Sequence, residues 1–339
     1  MSDIEKVNIL ESLKRYFKVD DSIIKTLESQ IEDHNVKNNL NRFQRGFKIE
    51  EDVALVYSVL PFVKLFHGLK QNTYQNFLKK NFQIPDYLMF YETCKIQTKP
   101  LLVEVKSVKE DSIEMKNLMS KQVDNLINYS NTMNTPLVFL IYWEKFNATT
   151  LNAIDIFEHK NNKYNLHMFK GIQSDLSLIV GDVTIKIPKI FRKTYFDTSK
   201  RNGEWTSNIG DIIKEQISFD NKNFTNIDFL ESSILNSFLS SKTIHQETNG
   251  TIITLTIESE TSRPRLSYLI QKFIKYFKSE PSENYCLFAS NQIVSFFKKM
   301  NFEKLHILPK IRTKVNDLIM KEAFEESIYL TAYLEGYKE

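Results

Sequence analysis

The segment Ile84-Pro85-Asp86-Tyr87-Leu88-Met89-Phe90 is followed, 18 residues after its aspartate, by Leu101-Leu102-Val103-Glu104-Val105-Lys106-Ser107. A strand buried on both faces should be apolar throughout, yet Glu104 and Lys106 interrupt this one. Strand alternation puts both on the same face, about 6–7 Å apart at a rise of ~3.3 Å per residue. Asp86 stands just before its own strand and can sit beside them if the two strands pair. Two carboxylates and a lysine in a partly buried place suit a hard divalent cation held through oxygen. Such an ion polarises a phosphate and lowers the pKa of a water, while the ammonium orients or activates that water. A Glu-x-Lys alone would equally suit a surface hairpin. The preceding Pro-Asp, the spacing and the apolar frame of both segments favour a nuclease site.

Other chemistries find no support. Only eight glycines occur among 339 residues, and neither G-x-x-x-x-G-K-[ST] nor G-x-G-x-x-G is present, which disfavours a nucleotide held in a glycine-rich loop. The six histidines (34, 67, 159, 167, 245, 306) form no H-x-x-x-H, and there is no G-x-S-x-G for a serine hydrolase. Two distant cysteines, Cys94 and Cys286, argue against a disulfide framework or a structural zinc site and for a reducing compartment. Trp143 and Trp205 read as packing residues. Net charge is only +3, so any surface for nucleic acid must come from local clustering.

Over roughly residues 45–143 the chain resembles the PD-(D/E)xK nuclease superfamily, which includes restriction endonucleases and archaeal Holliday-junction resolvases. In that family a helix upstream of Pro-Asp supplies a further glutamate, often four residues after a glycine. Here Gly46-Phe47-Lys48-Ile49-Glu50-Glu51 fits, with Glu50 in that place and Glu51 as the alternative. A later helix often carries a glutamine, matched by Gln122 in Lys121-Gln122-Val123-Asp124, with Tyr129 further along as a contact to phosphate or base. The seven positions from Gln122 to Tyr129 depart from the Q-x-x-x-Y of RecB-like nucleases. The resemblance implies an α/β fold with a restriction-endonuclease-like mixed sheet flanked by helices. It also implies a metal site of Asp86, Glu104 and Glu50 taking Mg²⁺ or Mn²⁺, completed by Lys106 and Gln122. The function implied is phosphodiester hydrolysis by a DNA endonuclease of restriction, phage defence or repair. A structure-selective resolvase and a non-catalytic DNA-binding or assembly protein are the alternatives.

These residues need elements to position them. Apolar residues at helical spacing predict two short helices over residues 3–34 and a longer one over 50–66, then a short helix at 73–80. Strands are expected at 87–91 and 100–107, a helix at 112–131, and a fully apolar strand at 137–142. Alternating residues between 151 and 190 suggest further strands. The polar run at 199–204 marks the expected boundary between a nuclease domain, 1–195, and a C-terminal α+β region, 200–339. That region reads as mainly helical with one strand at 251–257, and its expected role is specificity, dimerisation or partner binding. Lys189, Arg192 and Lys193 lie in a basic stretch interleaved with aromatics and are the candidate phosphate contacts. A second basic stretch, Arg263 to Lys278, reads better as a solvated helix face. The N-terminus lacks an apolar leader and no apolar run approaches ~20 residues, so a cytoplasmic protein without membrane spans is expected.

Overall fold

The computed structural model describes residues 3–17, 19–69, 81–92, 98–109, 115–201, 203, 205–277, 282–305 and 310. The helix expected at 73–80 lies outside these residues. The described residues form two compact units, the first of Met1–Gly181 together with Lys310, whose N–H bonds to the Gln173 carbonyl, and the second of Asp182–Ile307.

The first unit opens with four helices, α1 Asp3–Tyr16, α2 Asp21–Ser29, α3 His34–Asn38 and α4 Leu40–Ser58. Asp20 caps α2 by accepting the Ser22 N–H, and Asp33 caps α3 by accepting those of Asn35 and Val36, so each helix starts where a carboxylate satisfies orphan donors. Val7, Leu10, Ile24, Ile31 and Val36 form a buried cluster against which Phe43 and Phe47 of α4 pack. The helix expected at 50–66 is thus displaced towards the N-terminus, and Val63–Gly68 is instead strand β1. Pro61 explains the stop: it has no N–H to donate, and its ring disfavours helical geometry at the residue before it.

Strands β2 Tyr87–Tyr91 and β3 Lys99–Val108 follow, then β4 Met115–Met119 and α5 Ser120–Met133. The helix expected at 112–131 therefore begins only at Ser120. Residues 115–119 pair one for one with the later strand β8, Lys163–His167, and Leu118 is buried there, so tertiary pairing overrides local helical spacing. Next come β5 Leu137–Trp143, β6 Ala148–Ala153, β7 Glu158–Lys160, β8 Lys163–His167 and α6 Met168–Gln173. The main sheet has the order β1-β2-β3-β5-β6. Its β3–β5 pair is parallel and its other neighbours are antiparallel. A wholly apolar β5 suits a strand paired on both edges and covered on both faces. Leu102 and Val108 of β3 share a core with Val123 and Leu126 of α5, while α4 packs against β1 and β3. The fold is mixed α/β, a mixed sheet flanked by helices.

The second unit contains β9 Thr184–Lys186, β10 Ile190–Asp197, β11 Asp211–Ser218, β12 Thr225–Ile227, α7 Phe229–Phe238, β13 Ser241–Asn249 and β14 Ile252–Ser259. It ends in α8 Leu266–Tyr276, α9 Glu283–Lys299 and β15 Glu303–Leu305. Its antiparallel sheet runs β12-β11-β10-β14-β13, and β15 pairs with β9. The units divide at 181/182, ahead of the boundary expected between 195 and 200, because β10 is a central strand of this second sheet, paired with β11 and β14. The α+β class stands, with more strand than the mainly helical reading allowed. β13 is exposed along its whole length, so it carries no apolar alternation to read. Among the described residues no helix is long and apolar enough to cross a membrane.

Candidate active site

Alternation along β3 places Leu102, Glu104, Lys106 and Val108 on one face and buries Val103 and Val105 on the other. The antiparallel β2–β3 register pairs Tyr87 with Val103. Continued by one position, that register sets Asp86 opposite Glu104, and the Asp86 carboxylate accepts the Val105 N–H at 2.9 Å. The 18-residue spacing is therefore a hairpin-like return of the chain. Lys106 Nζ lies 2.9 Å from Glu104 Oε1, 3.6 Å from Asp86 Oδ2 and 3.9 Å from Glu50 Oε1, and donates to the Val105 carbonyl at 2.8 Å. Glu50 comes from α4 and is the residue of the Glu50-Glu51 pair that reaches Lys106. From the first turn of α5, Gln122 brings Nε2 to 3.5 Å from Glu104 Oε1, the outer limit of a hydrogen bond. Glu50, Asp86, Glu104, Lys106 and Gln122 thus converge from four segments of the chain.

Burial dominates the electrostatics. Glu104 is 1 % exposed, and its Oε2 has no hydrogen-bond partner among the described residues. Loss of hydration, then the Asp86 charge, push its carboxyl up to about 8 against the pull of Lys106. Burial also raises Glu50 to about 7, with Lys106 opposing the shift and Asp86 adding to it. Burial works against the Lys106 charge, but the three surrounding carboxylates outweigh it and raise its pKa further, so it remains an ammonium.

A second lysine escaped the sequence reading. Lys116 of β4 donates to the Ser107 carbonyl at 2.7 Å, and burial, then repulsion from Lys106, lower its pKa to about 8. With Glu50, Lys106, Gln122 and Arg42 it lines a cavity of about 670 Å³. No local signal marks it, because its place depends on the β4–β8 pairing.

Among the described residues no three His, Cys, Asp or Glu side chains form a ready-made metal cage; Lys106 stands between the carboxylates. The donor chemistry fits a hard divalent cation all the same. Asp86, Glu104 and Glu50 offer only oxygen, and Glu104 Oε2 is a buried carboxylate oxygen with no hydrogen bond from the described residues.

The remaining expected site residues lie elsewhere. Tyr129 packs against the core of the first unit. Lys189, Arg192 and Lys193 belong to the second unit and are engaged there. Lys189 is ion-paired with Glu258 and stands 5.1 Å over the Phe191 ring. Arg192 Nε is 3.9 Å from Glu215, and Nη1 donates to Asn236 at 2.5 Å. Lys193 sits 4.4 Å over the ring of Phe224.

No family model matches the sequence, and no curated protein matches it. Among solved structures the chain is similar to Hjc of Archaeoglobus fulgidus, a Holliday junction resolvase from an archaeal hyperthermophile. The likeness has 13% sequence identity and a TM-score of 0.27, and covers 34% of this chain and 85% of that one.

Proposed function

We propose that this protein is a metal-dependent nuclease that hydrolyses phosphodiester bonds in DNA, with Mg²⁺ or Mn²⁺ as its cofactor. One observation carries the reading. A half-buried lysine ammonium lies within 4 Å of three carboxylates delivered by a helix, a strand and the residue preceding another strand. Packing alone gives no reason to gather so many charges around one buried carboxylate, since desolvating them is costly. Asp86 and Glu104, with Glu50, would hold the cation, which when bound supplies Lewis acidity and a more acidic water. Lys106 is the fixed positive group beside them; its Nζ protons can steer the attacking water and neutralise charge developing on the phosphate. Gln122 steadies the Glu104 carboxylate through its amide and faces the same cavity.

The test is cleavage of supercoiled, linear, single-stranded and branched DNA by the purified chain with Mg²⁺, Mn²⁺ or EDTA. Strand scission in the presence of either metal, absent with EDTA and absent from Asp86→Ala and Glu104→Ala, is the expected result. Scission that persists in EDTA, or in both variants, overturns the proposal.

A further inference from the structure

We infer that the DNA strand reaches this site along a basic groove beside α3 and α4, through Lys37, Arg42 and Lys109, rather than over the stretch around Lys189 to Lys193. This inference rests on the nuclease reading above and adds the path of the substrate.

The cavity that holds Glu50, Lys106 and Lys116 does not end at the carboxylates. It is also lined by Arg42, Arg45 and Lys109, and these three residues also line a second cavity of about 510 Å³. That second cavity continues past Asn41 and Asn39 to Lys37. The shared lining makes the two cavities one groove within the first unit. Arg45 is ion-paired with Glu144, which leaves its charge neutralised. Lys37, Arg42 and Lys109 are exposed and make no ion pair among the described residues. Towards the outer end Asn38, Asn39 and Asn41 line the groove in place of acids.

Cations with no ion-pair partner among the described residues, along a groove that ends at a carboxylate–lysine cluster, suit a polyanion, whose phosphates they would neutralise in sequence. The scale agrees. Arg42 precedes Glu50 by eight residues on α4, about 12 Å along the axis at 1.5 Å per residue, or roughly three nucleotides at ~3.4 Å of rise each. Lys116 closes the inner end, where its ammonium is held by the Ser107 carbonyl beside Lys106. The basic residues that sequence alone nominated are occupied differently. Lys189 is paired with Glu258, and Arg192 is bound to Glu215 and Asn236.

The test compares three forms of the full chain: wild type, Lys37→Gln/Arg42→Gln/Lys109→Gln, and Lys189→Gln/Lys193→Gln. Fluorescence anisotropy of a labelled DNA oligonucleotide in EDTA gives affinity across a salt series, and cleavage at saturating DNA is measured separately with Mg²⁺. The groove variant should lose about 100-fold in affinity near 0.15 M salt, with a slope of log affinity against log salt shallower by roughly 2.7, about 0.9 per contact. Its cleavage at saturating DNA should fall far less, and Lys189→Gln/Lys193→Gln should keep the wild-type slope. Wild-type affinity and slope in the groove variant, with cleavage by the wild type intact, overturn the path while leaving the nuclease reading standing. A wild type that neither binds nor cuts DNA overturns both. The single variant Arg42→Gln guards against a folding defect: with an unchanged melting curve it should still lower the slope by about 0.9, and an unaltered slope counts against the path.

Discussion

Lys106 Nζ lies 2.9 Å from one oxygen of Glu104, while the other oxygen of that carboxylate is buried without a hydrogen bond among the described residues. The pair is a satisfied ion pair on one side and an open acceptor on the other.

Removing the acids tests that openness. On the proposed function, in which both would donate to the cation, Asp86→Ala and Glu104→Ala should each abolish metal-supported cleavage. They also remove repulsion between buried carboxylates, so melting temperature in EDTA should stay level or rise. A large fall in melting temperature would mark these residues as structural.

Lys106→Met keeps much of the apolar stem and removes the charge. Turnover should fall by roughly 10²–10⁴-fold, the range for a group that positions or transfers a proton in the transition state. Calorimetry should still detect Mn²⁺ binding, because the carboxylates remain. Lost metal affinity with unchanged turnover would contradict the role given to this lysine.

The raised carboxyls make stability depend on pH in a defined direction. Folding lifts Glu104 from 4.5 to about 8 and Glu50 from 4.5 to about 7, so between these values the folded chain holds protons that the unfolded chain has released. Stability in EDTA therefore falls as pH rises from about 5 to about 8. Glu104→Gln should flatten that decline and melt higher than wild type at pH 8. Parallel pH profiles for the two proteins would refute the linkage.

Gln122 makes one long contact to Glu104. Gln122→Ala should reduce turnover by roughly fivefold, the equivalent of about 1 kcal/mol for a single hydrogen bond. A loss as deep as that of Lys106→Met would mean that the amide contacts the reacting phosphate itself.

Arg192 belongs to a buried polar group in the second unit, with Glu215 only 4 % exposed beside it. Arg192→Ala should destabilise that unit by about 2 kcal/mol or more, because Glu215 keeps its buried charge and loses its cation. Thermal unfolding measures this. A variant with wild-type stability but a shallower salt slope for DNA would return Arg192 to the binding surface.

Residue types and strand alternation, on their own, placed Glu104 and Lys106 on one face and offered Asp86 as their neighbour, because a period of two is a local property of extended chain. Caps are equally local: the carboxylates of Asp20 and Asp33 accept backbone N–H groups two or three residues further on. The resemblance supplied Glu50 and Gln122, but only the packing of α4 and α5 around β3 brought Glu50 to Lys106 and Gln122 to Glu104. Tertiary pairing decided the rest. It drew residues 115–119 out of a helical reading into β4 and so set Lys116 beside the site, and it assigned Ile190–Asp197 to the second unit through two strand partners distant in sequence. It also paired Lys189 with Glu258 and Arg192 with Glu215, since a charged side chain carries no mark in the sequence of the carboxylate it will meet across the fold.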